Sequence, residues 1–159
     1  MFKIKLLILL LVSLLLIGCS NKPVISSNSF QIGYIGGGAD GAIFKNLLIA
    51  NMQGASMYDN NSNFVIEASI QHNTSFYITN TNKTSDRQKI VTQLNIKISD
   101  NQQNCEVYSF NDEVSQFYIV ASATVFTSND AALEEIKINN SESLIKKFLF
   151  DLNLQNLIC

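Results

Sequence analysis

Cys19 is the residue of this chain whose chemistry is best defined by its neighbours. It closes the tetrapeptide Leu-Ile-Gly-Cys at the end of an apolar run, and two lysines precede that run. The small Gly18 lets a peptidase reach the bond before Cys19, and the thiol of Cys19 can accept a diacylglyceryl group through a thioether. This layout predicts a bacterial lipoprotein signal peptide over residues 1–18, with Cys19 as the lipid anchor.

The apolar run is about a dozen residues long, shorter than the roughly 20 that a membrane-spanning helix needs. The other reading is an ordinary cleaved signal that happens to end in cysteine. With two chains on the thioether and a third on the freed amine, the anchor would be firm, since one chain alone holds only marginally. Ser20 follows the anchor. In the sorting rule of enteric bacteria, a lipoprotein without aspartate at this position is passed on to the outer membrane. Ser20 therefore predicts an outer-membrane protein that faces the periplasm.

The mature chain has the size of one domain and an acidic balance. Two of the 11 basic residues lie in the signal, so nine remain against 13 acids, for a formal charge of −4. Such a charge gives no electrostatic footprint for nucleic acid. We expect residues 19–28 to form a lipidated tether and residues 29–159 to form a single domain.

The remaining residues that could carry chemistry give weaker signals. Cys105 and Cys159 can either pair in an oxidising periplasm or remain free thiols. The single histidine, His72, lies in a polar, strand-like stretch with no cysteine or histidine at metal-ligand spacing, so we expect no metal site. The glycines at 36–38 lack the Gly-Lys-Ser/Thr ending of a phosphate loop and predict a turn.

Hydrophobic periodicity predicts the order β-α-β-β-β-α. Strands are expected over residues 30–35, 64–78 with an interruption near Asn73, 90–99, and 105–119 with a bulge at Asp112 and Glu113. Helices are expected over 41–53, capped by Asp40, and from Ser128 onwards. The expected inward positions are Ile90, Thr92, Leu94, Ile96 and Ile98 in the third strand, Tyr108 and Phe110 in the fourth, and Ile138, Ile145, Phe148, Leu149 and Leu152 in the last helix.

These elements predict an α+β fold. Two helices would pack on one face of a mainly antiparallel four-stranded sheet. An anchored hydrolase is not expected, because the chain has one histidine, no Gly-x-Ser-x-Gly and only scattered acids.

The whole arrangement resembles the LPS-assembly lipoprotein family, LptE, in its short and divergent forms. The resemblance rests on five features: Cys19; residues 30–35 followed by a helix containing Asn46-Leu47-Leu48; Thr84-Ser85-Asp86-Arg87 ahead of the alternating strand; Ser115-Gln116-Phe117-Tyr118; and residues 128–132 leading into the last helix. The chain departs from the family pattern in lacking a Gly-Phe opening after the anchor and in having few basic residues.

The resemblance implies a non-enzymatic lipoprotein without a cofactor. Such a protein sits inside a large outer-membrane β-barrel, helps that barrel assemble and assists delivery of lipopolysaccharide to the cell surface. Arg87 and Lys89 are then the candidates for contact with lipopolysaccharide phosphates, although both also fit a solvated strand edge. The alternative function is an outer-membrane-anchored structural or binding lipoprotein with another envelope partner.

Overall fold

The computed structural model describes residues 28–78, 85–119 and 126–159. They form the strands β1 (Phe30–Gly36), β2 (Phe64–Ile78), β3 (Ser85–Asp100) and β4 (Cys105–Ile119), and the helices α1 (Gly38–Gly54) and α2 (Phe126–Leu152). The predicted element order and fold class are confirmed. The signal peptide, Cys19 and all of the tether except Asn28 lie outside the described residues.

The four strands form one mixed sheet in the order β1-β2-β3-β4. β1 runs parallel to β2, while the β2–β3 and β3–β4 pairs are antiparallel. A parallel pair needs a crossover connection, and α1 supplies it. Both helices cover the same face of the sheet, because Phe44 and Leu48 of α1 and Phe148 of α2 share one core with Ile66 and Leu94 of the sheet. We call the other face the open face.

The turn between β1 and α1 requires glycine. Gly37 has φ 116° and Gly38 has φ 61°, both in the left-handed region. A Cβ atom on Gly37 would lie 2.6 Å from the carbonyl oxygen of Ile70. The predicted cap at Asp40 is wrong, because α1 begins at Gly38 with Gly37 at the cap position and Asp40 in the first turn. There its carboxylate suits the positive end of the helix dipole.

β2 is continuous, so the interruption predicted near Asn73 is wrong. Asn73 pairs in register with Val91 of β3, and the ladder continues to Ser75 and beyond. The polar run from His72 onwards stays extended because β3 satisfies its backbone, although few of its side chains are buried. β3 accordingly begins at Ser85, before the predicted start at residue 90.

The alternation predicted for β3 is confirmed. Its buried face consists of Ile90, Thr92, Leu94, Ile96 and Ile98. The intervening residues 93, 95 and 97 are exposed on the open face. One face of the sheet is therefore packed under the helices and the other faces outwards, as period-2 patterning requires.

The bulge in β4 lies nearer its start than predicted. Asp112 and Glu113 pair in register with β3, so the bulge expected there is wrong. The register instead shifts beside Val107, which has no partner in β3. Asp112 can remain in the strand because its carboxylate accepts a hydrogen bond from Lys147 of α2 at 2.8 Å. That bond is the main reason why the pKa of Asp112 is lowered.

α2 packs through a stripe that is partly polar. The predicted Ile145, Phe148 and Leu152 are buried and Leu149 is partly buried, but Ile138 is 36% exposed and does not belong to the stripe. At that level of the helix the buried residues are Asn140 and Ser141. At this level Asn140 faces the sheet, where it donates a hydrogen bond to Thr92 of β3.

The C-terminal half of α2 is fixed by aromatic and polar contacts with β4. Phe110 packs edge-on against Phe148 with ring centroids 5.7 Å apart. The hydroxyl of Tyr108 donates to the carboxylate of Asp151 at 2.5 Å. Burial raises the pKa of Tyr108, and the bond to Asp151 raises it further.

In the part of the chain that the structure describes, no helix is long and apolar enough to cross a membrane.

Candidate functional site

The sheet has two ends with different chemistry. We call the end at Ser75, Phe76, residues 87–89 and residues 117–119 the tip, and the opposite end beside Asp100 the base. At the tip Lys89 pairs in register with Ser75 on one side and Phe117 on the other, and Arg87 pairs with Ile119. Side chains alternate along a strand, so Arg87, Lys89, Phe117 and Ile119 share the open face.

The tip presents exposed apolar side chains beside two cations. Phe117 is 58% exposed and Ile119 is 73% exposed. Phe76, on the helix-covered side of β2, is 66% exposed. The Nζ of Lys89 lies 5.9 Å from the ring centroid of Phe117, within the range of a cation–π contact. Exposed apolar groups clustered in this way mark an interaction site more often than isolated ones do.

This combination suits an anion that carries an apolar part. Guanidinium and ammonium groups pair with phosphate, and the guanidinium does so in a bidentate manner. Arg87 is exposed and Lys89 is partly exposed, so both are open to solvent. Phe117 and Ile119 lie on the same face and can contact an acyl chain. The tip therefore presents residue types that suit both the phosphate and the acyl chain of a phosphorylated lipid.

A buried polar cluster lies between the tip and the middle of the sheet, and the sequence reasoning did not find it. Asn140 of α2 donates from Nδ2 to the hydroxyl of Thr92 at 3.0 Å, and Nδ1 of His72 lies 2.8 Å from the same hydroxyl. Asn140 and Thr92 are both completely buried. Oδ1 of Asn140 is buried with no hydrogen-bond partner among the described residues.

Charged groups from both helices surround His72. Asp40 of α1 and Glu134 of α2 favour its protonated form, while Lys137 of α2 opposes it. Burial is the largest influence and lowers the pKa of His72 below its ordinary value. The Nζ of Lys137 donates to Glu134 at 2.8 Å and lies 3.8 Å from Asp40, so the ammonium stands between the two carboxylates. The bond to Glu134 is the main cause that raises the pKa of Lys137.

The cluster contains the residue types of a catalytic pair, a hydroxyl and a base, but its hydroxyl is not accessible to a substrate. A nucleophilic hydroxyl must reach a substrate, and Thr92 is 0% exposed. Because Thr92 accepts from Asn140, its own hydrogen is available to Nδ1 of His72, which is consistent with a neutral imidazole. The arrangement joins β2, β3 and α2 and acts as a structural connection. Among the described residues no group of three or more histidines, cysteines or acids is placed to hold a metal.

Both ends of the described chain are fixed at the base of the sheet. Cys105 and Cys159 lie with their Cα atoms 6.1 Å apart and are joined in the structure, a separation that fits a disulfide. Ser62 donates from its hydroxyl to the backbone of Ser29, and Phe30 donates its N–H to Met57 at 2.8 Å. The segment leading from the tether and the last residues of the chain are thus both held at the base, at opposite edges of the sheet.

The predicted site residues fall into separate places. Arg87 and Lys89 are together at the tip, whereas Cys105 and Cys159 are at the base. Cys19 lies outside the described residues. A lipid-binding role for the tip and formation of the disulfide in the cell stay predictions. Phe117 and Ile119 were missed as site residues because an apolar residue in a strand signals core unless its exposure is known.

Comparison with known proteins shows what this fold resembles. No family model and no curated protein matches the sequence. The rare lipoprotein B from Shewanella oneidensis superposes with a TM-score of 0.54 at 10% identity, covering 79% of this chain and 99% of that one. A minor lipoprotein from Acinetobacter baumannii superposes with a TM-score of 0.60 at 13% identity, covering 82% of this chain and 93% of that one.

A third structure agrees with these two. Lipoprotein B from Nitrosomonas europaea gives a TM-score of 0.54 at 12% identity, covering 77% of this chain and 79% of that one. All three are bacterial lipoproteins, and identities this low show the fold alone. The chain therefore has the fold of rare lipoprotein B and related bacterial lipoproteins, in agreement with the family resemblance of its sequence.

Proposed function

We propose that this protein is an outer-membrane lipoprotein that assists assembly of a large β-barrel and delivery of lipopolysaccharide to the cell surface. It is held through diacylglyceryl and N-acyl chains on Cys19, faces the periplasm and performs no catalysis. The observation that carries the proposal is the tip, where Arg87 and Lys89 stand beside exposed Phe117 and Ile119 on a lipoprotein fold.

The length of the sheet supports this role. Along β3, Asp100 at the base and Arg87 at the tip are about 43 Å apart, at about 3.3 Å per residue. The hydrocarbon core of a bilayer is about 30 Å thick. A domain whose base stays near the leaflet that holds Cys19 can therefore extend its tip across the membrane, provided that a barrel encloses it.

The open face supports enclosure in a barrel. Its exposed side chains in the middle of the sheet are polar, as the interiors of outer-membrane barrels are, and among them Glu113, which accepts from Gln93, is charged. The uncharged ones include Ser69, Gln71, Asn73, Gln93, Asn95 and Asn111. A barrel lumen lined by polar groups can meet such a face through direct and water-mediated hydrogen bonds.

The experiment that tests the lipid contact is binding of lipopolysaccharide to the full chain carrying Arg87→Ala and Lys89→Ala together. Loss of two charge-assisted contacts to phosphate should weaken binding clearly, and the melting temperature should stay unchanged because Arg87 is exposed and Lys89 is only partly buried. Binding equal to that of the unaltered protein would remove the tip as the lipopolysaccharide site.

Lys97→Ala is the matched control. Lys97 is an exposed lysine on the same strand and the same face, but it lies towards the base and pairs with Glu106 at 3.0 Å. The proposal expects this variant to bind lipopolysaccharide as the unaltered protein does. If Lys97→Ala weakens binding as much as the double variant does, the contact reflects the overall charge of the protein and not the tip.

A further inference from the structure

The C-terminal end of the chain exposes an apolar strip at the base. Phe150 is 71% exposed, Leu154 is 67% exposed and Ile158 is 76% exposed. We call these three residues the C-terminal strip. Residues 152–159 contain no charged side chain, and their exposed polar side chains are Asn153, Gln155 and Asn156. No other group on the described base presents large apolar side chains at this exposure.

The strip is presented by a segment that is held in place. α2 ends at Leu152, and Leu154 then donates its N–H to Asp151 in a turn at 2.9 Å. Leu157 packs against the hydrophobic core, and Cys159 is joined to Cys105. Leu154 and Ile158 therefore belong to a segment that is held to the domain at Leu157 and Cys159, while their own side chains are exposed.

The strip lies at the same end of the domain as Ser29, the residue that follows the tether. Phe30, Phe64, Asp100 and Cys105 are successive register partners across the four strands, which span about 14 Å at about 4.8 Å per strand. Nine residues, 20–28, separate Cys19 from Ser29. Even fully extended, nine residues reach at most about 32 Å. The membrane that holds the anchor is thus within reach of the base.

We propose that the C-terminal strip inserts into the interfacial region of the lipid leaflet that holds the Cys19 acyl chains. The inference rests on the proposed anchor and is independent of what the tip binds. The anchor keeps the strip at high effective concentration next to lipid, so weak individual contacts suffice. Two separate membrane contacts, the acyl chains and the strip, would fix the tilt of the sheet and hence the direction of the tip.

Tryptophan fluorescence tests this contact, because the chain has no tryptophan of its own. We would purify the full lipidated protein carrying Leu154→Trp or Ile158→Trp and reconstitute it in phosphatidylethanolamine vesicles with and without brominated phosphatidylcholine. Tyr34→Trp is the matched control, since Tyr34 is 74% exposed on β1. Mass spectrometry of the same samples reports acylation of Cys19, and circular dichroism reports folding.

The inference expects bromine quenching and a blue shift at positions 154 and 158 but not at position 34. Acylated protein without quenching at 154 and 158 would overturn the membrane contact and leave the proposed anchor intact. A blue shift without quenching would overturn it in favour of a protein occupant, such as a second copy of this chain. Absence of acylation would overturn the anchor, and the membrane contact with it.

Discussion

Thr92→Val removes one hydroxyl from the buried polar cluster and keeps the shape of the side chain. The hydroxyl accepts from Nδ2 of Asn140 at 3.0 Å and lies 2.8 Å from Nδ1 of His72. Without it, neither polar atom of the Asn140 side chain has a partner among the described residues, because Oδ1 has none already. His72 is only half-buried, so its nitrogen can turn to water and adds little to the cost.

The cost is set by the buried amide. Leaving a fully buried donor unsatisfied costs about 1–3 kcal/mol, so we expect the free energy of unfolding to fall by about 2 kcal/mol. For a domain of this size that is a drop in melting temperature of about 6–10 °C. Burial alone gives the opposite expectation, because valine is the more apolar residue and position 92 is 0% exposed.

Urea unfolding followed by circular dichroism measures this difference. Thr92→Ser is the control, since it keeps the hydroxyl and loses one methyl group, at a cost of about 1 kcal/mol. Adding Asn140→Leu to Thr92→Val removes both partners and should recover part of the loss. An unfolding midpoint for Thr92→Val at or above that of the unaltered protein would refute the role given to the cluster.

Three further outcomes follow from the geometry. The pKa of His72 is lowered in the folded state, so as pH falls the unfolded chain takes up a proton at this residue before the folded chain does. Stability should therefore decline as pH falls below 6.5, and the decline should be smaller in His72→Gln. Urea unfolding at a series of pH values measures both. Gly37→Ala should destabilise by more than about 1 kcal/mol, whereas Gly54→Ala, whose Cβ meets nothing within 4 Å, should not; equal melting temperatures would contradict the turn geometry. A disulfide between cysteines 54 positions apart in the sequence should contribute about 2–4 kcal/mol to stability, so reductant or Cys159→Ser should lower the melting temperature. Gel mobility that reductant leaves unchanged, together with two titratable thiols, would show that the bridge is absent.

The sequence predicted those elements that depend on a local property of the chain. The alternation in β3 placed Ile90, Leu94 and Ile98 in the core, and the glycines at 36–38 marked a turn, because side-chain period and backbone conformation are local properties. The start of α1 could not be predicted in this way. Its position depends on the packing of Gly37 against Ile70 on β2, which is distant in sequence.

The errors have a common physical origin in long-range pairing. Polar residues near Asn73 read as a break, yet β3 pairs them fully. Ile138 read as core, yet α2 turns a polar side to Thr92 at that level, and Asn140 is buried in its place. Arg87 and Lys89 were found as candidates, but their apolar neighbours Phe117 and Ile119 come from another strand and become a patch only through the register of β3 with β4.

The most direct test of the central claim is recovery of this protein with its partner. Full-length, affinity-tagged protein would be isolated from its own envelope in mild detergent, and the proteins that co-purify would be identified by mass spectrometry. The account predicts a stoichiometric large outer-membrane barrel whose level falls when this protein is removed from the cell. Recovery of the protein alone, or with cell-wall fragments, would contradict the assembly role and favour a lipoprotein with a different envelope partner.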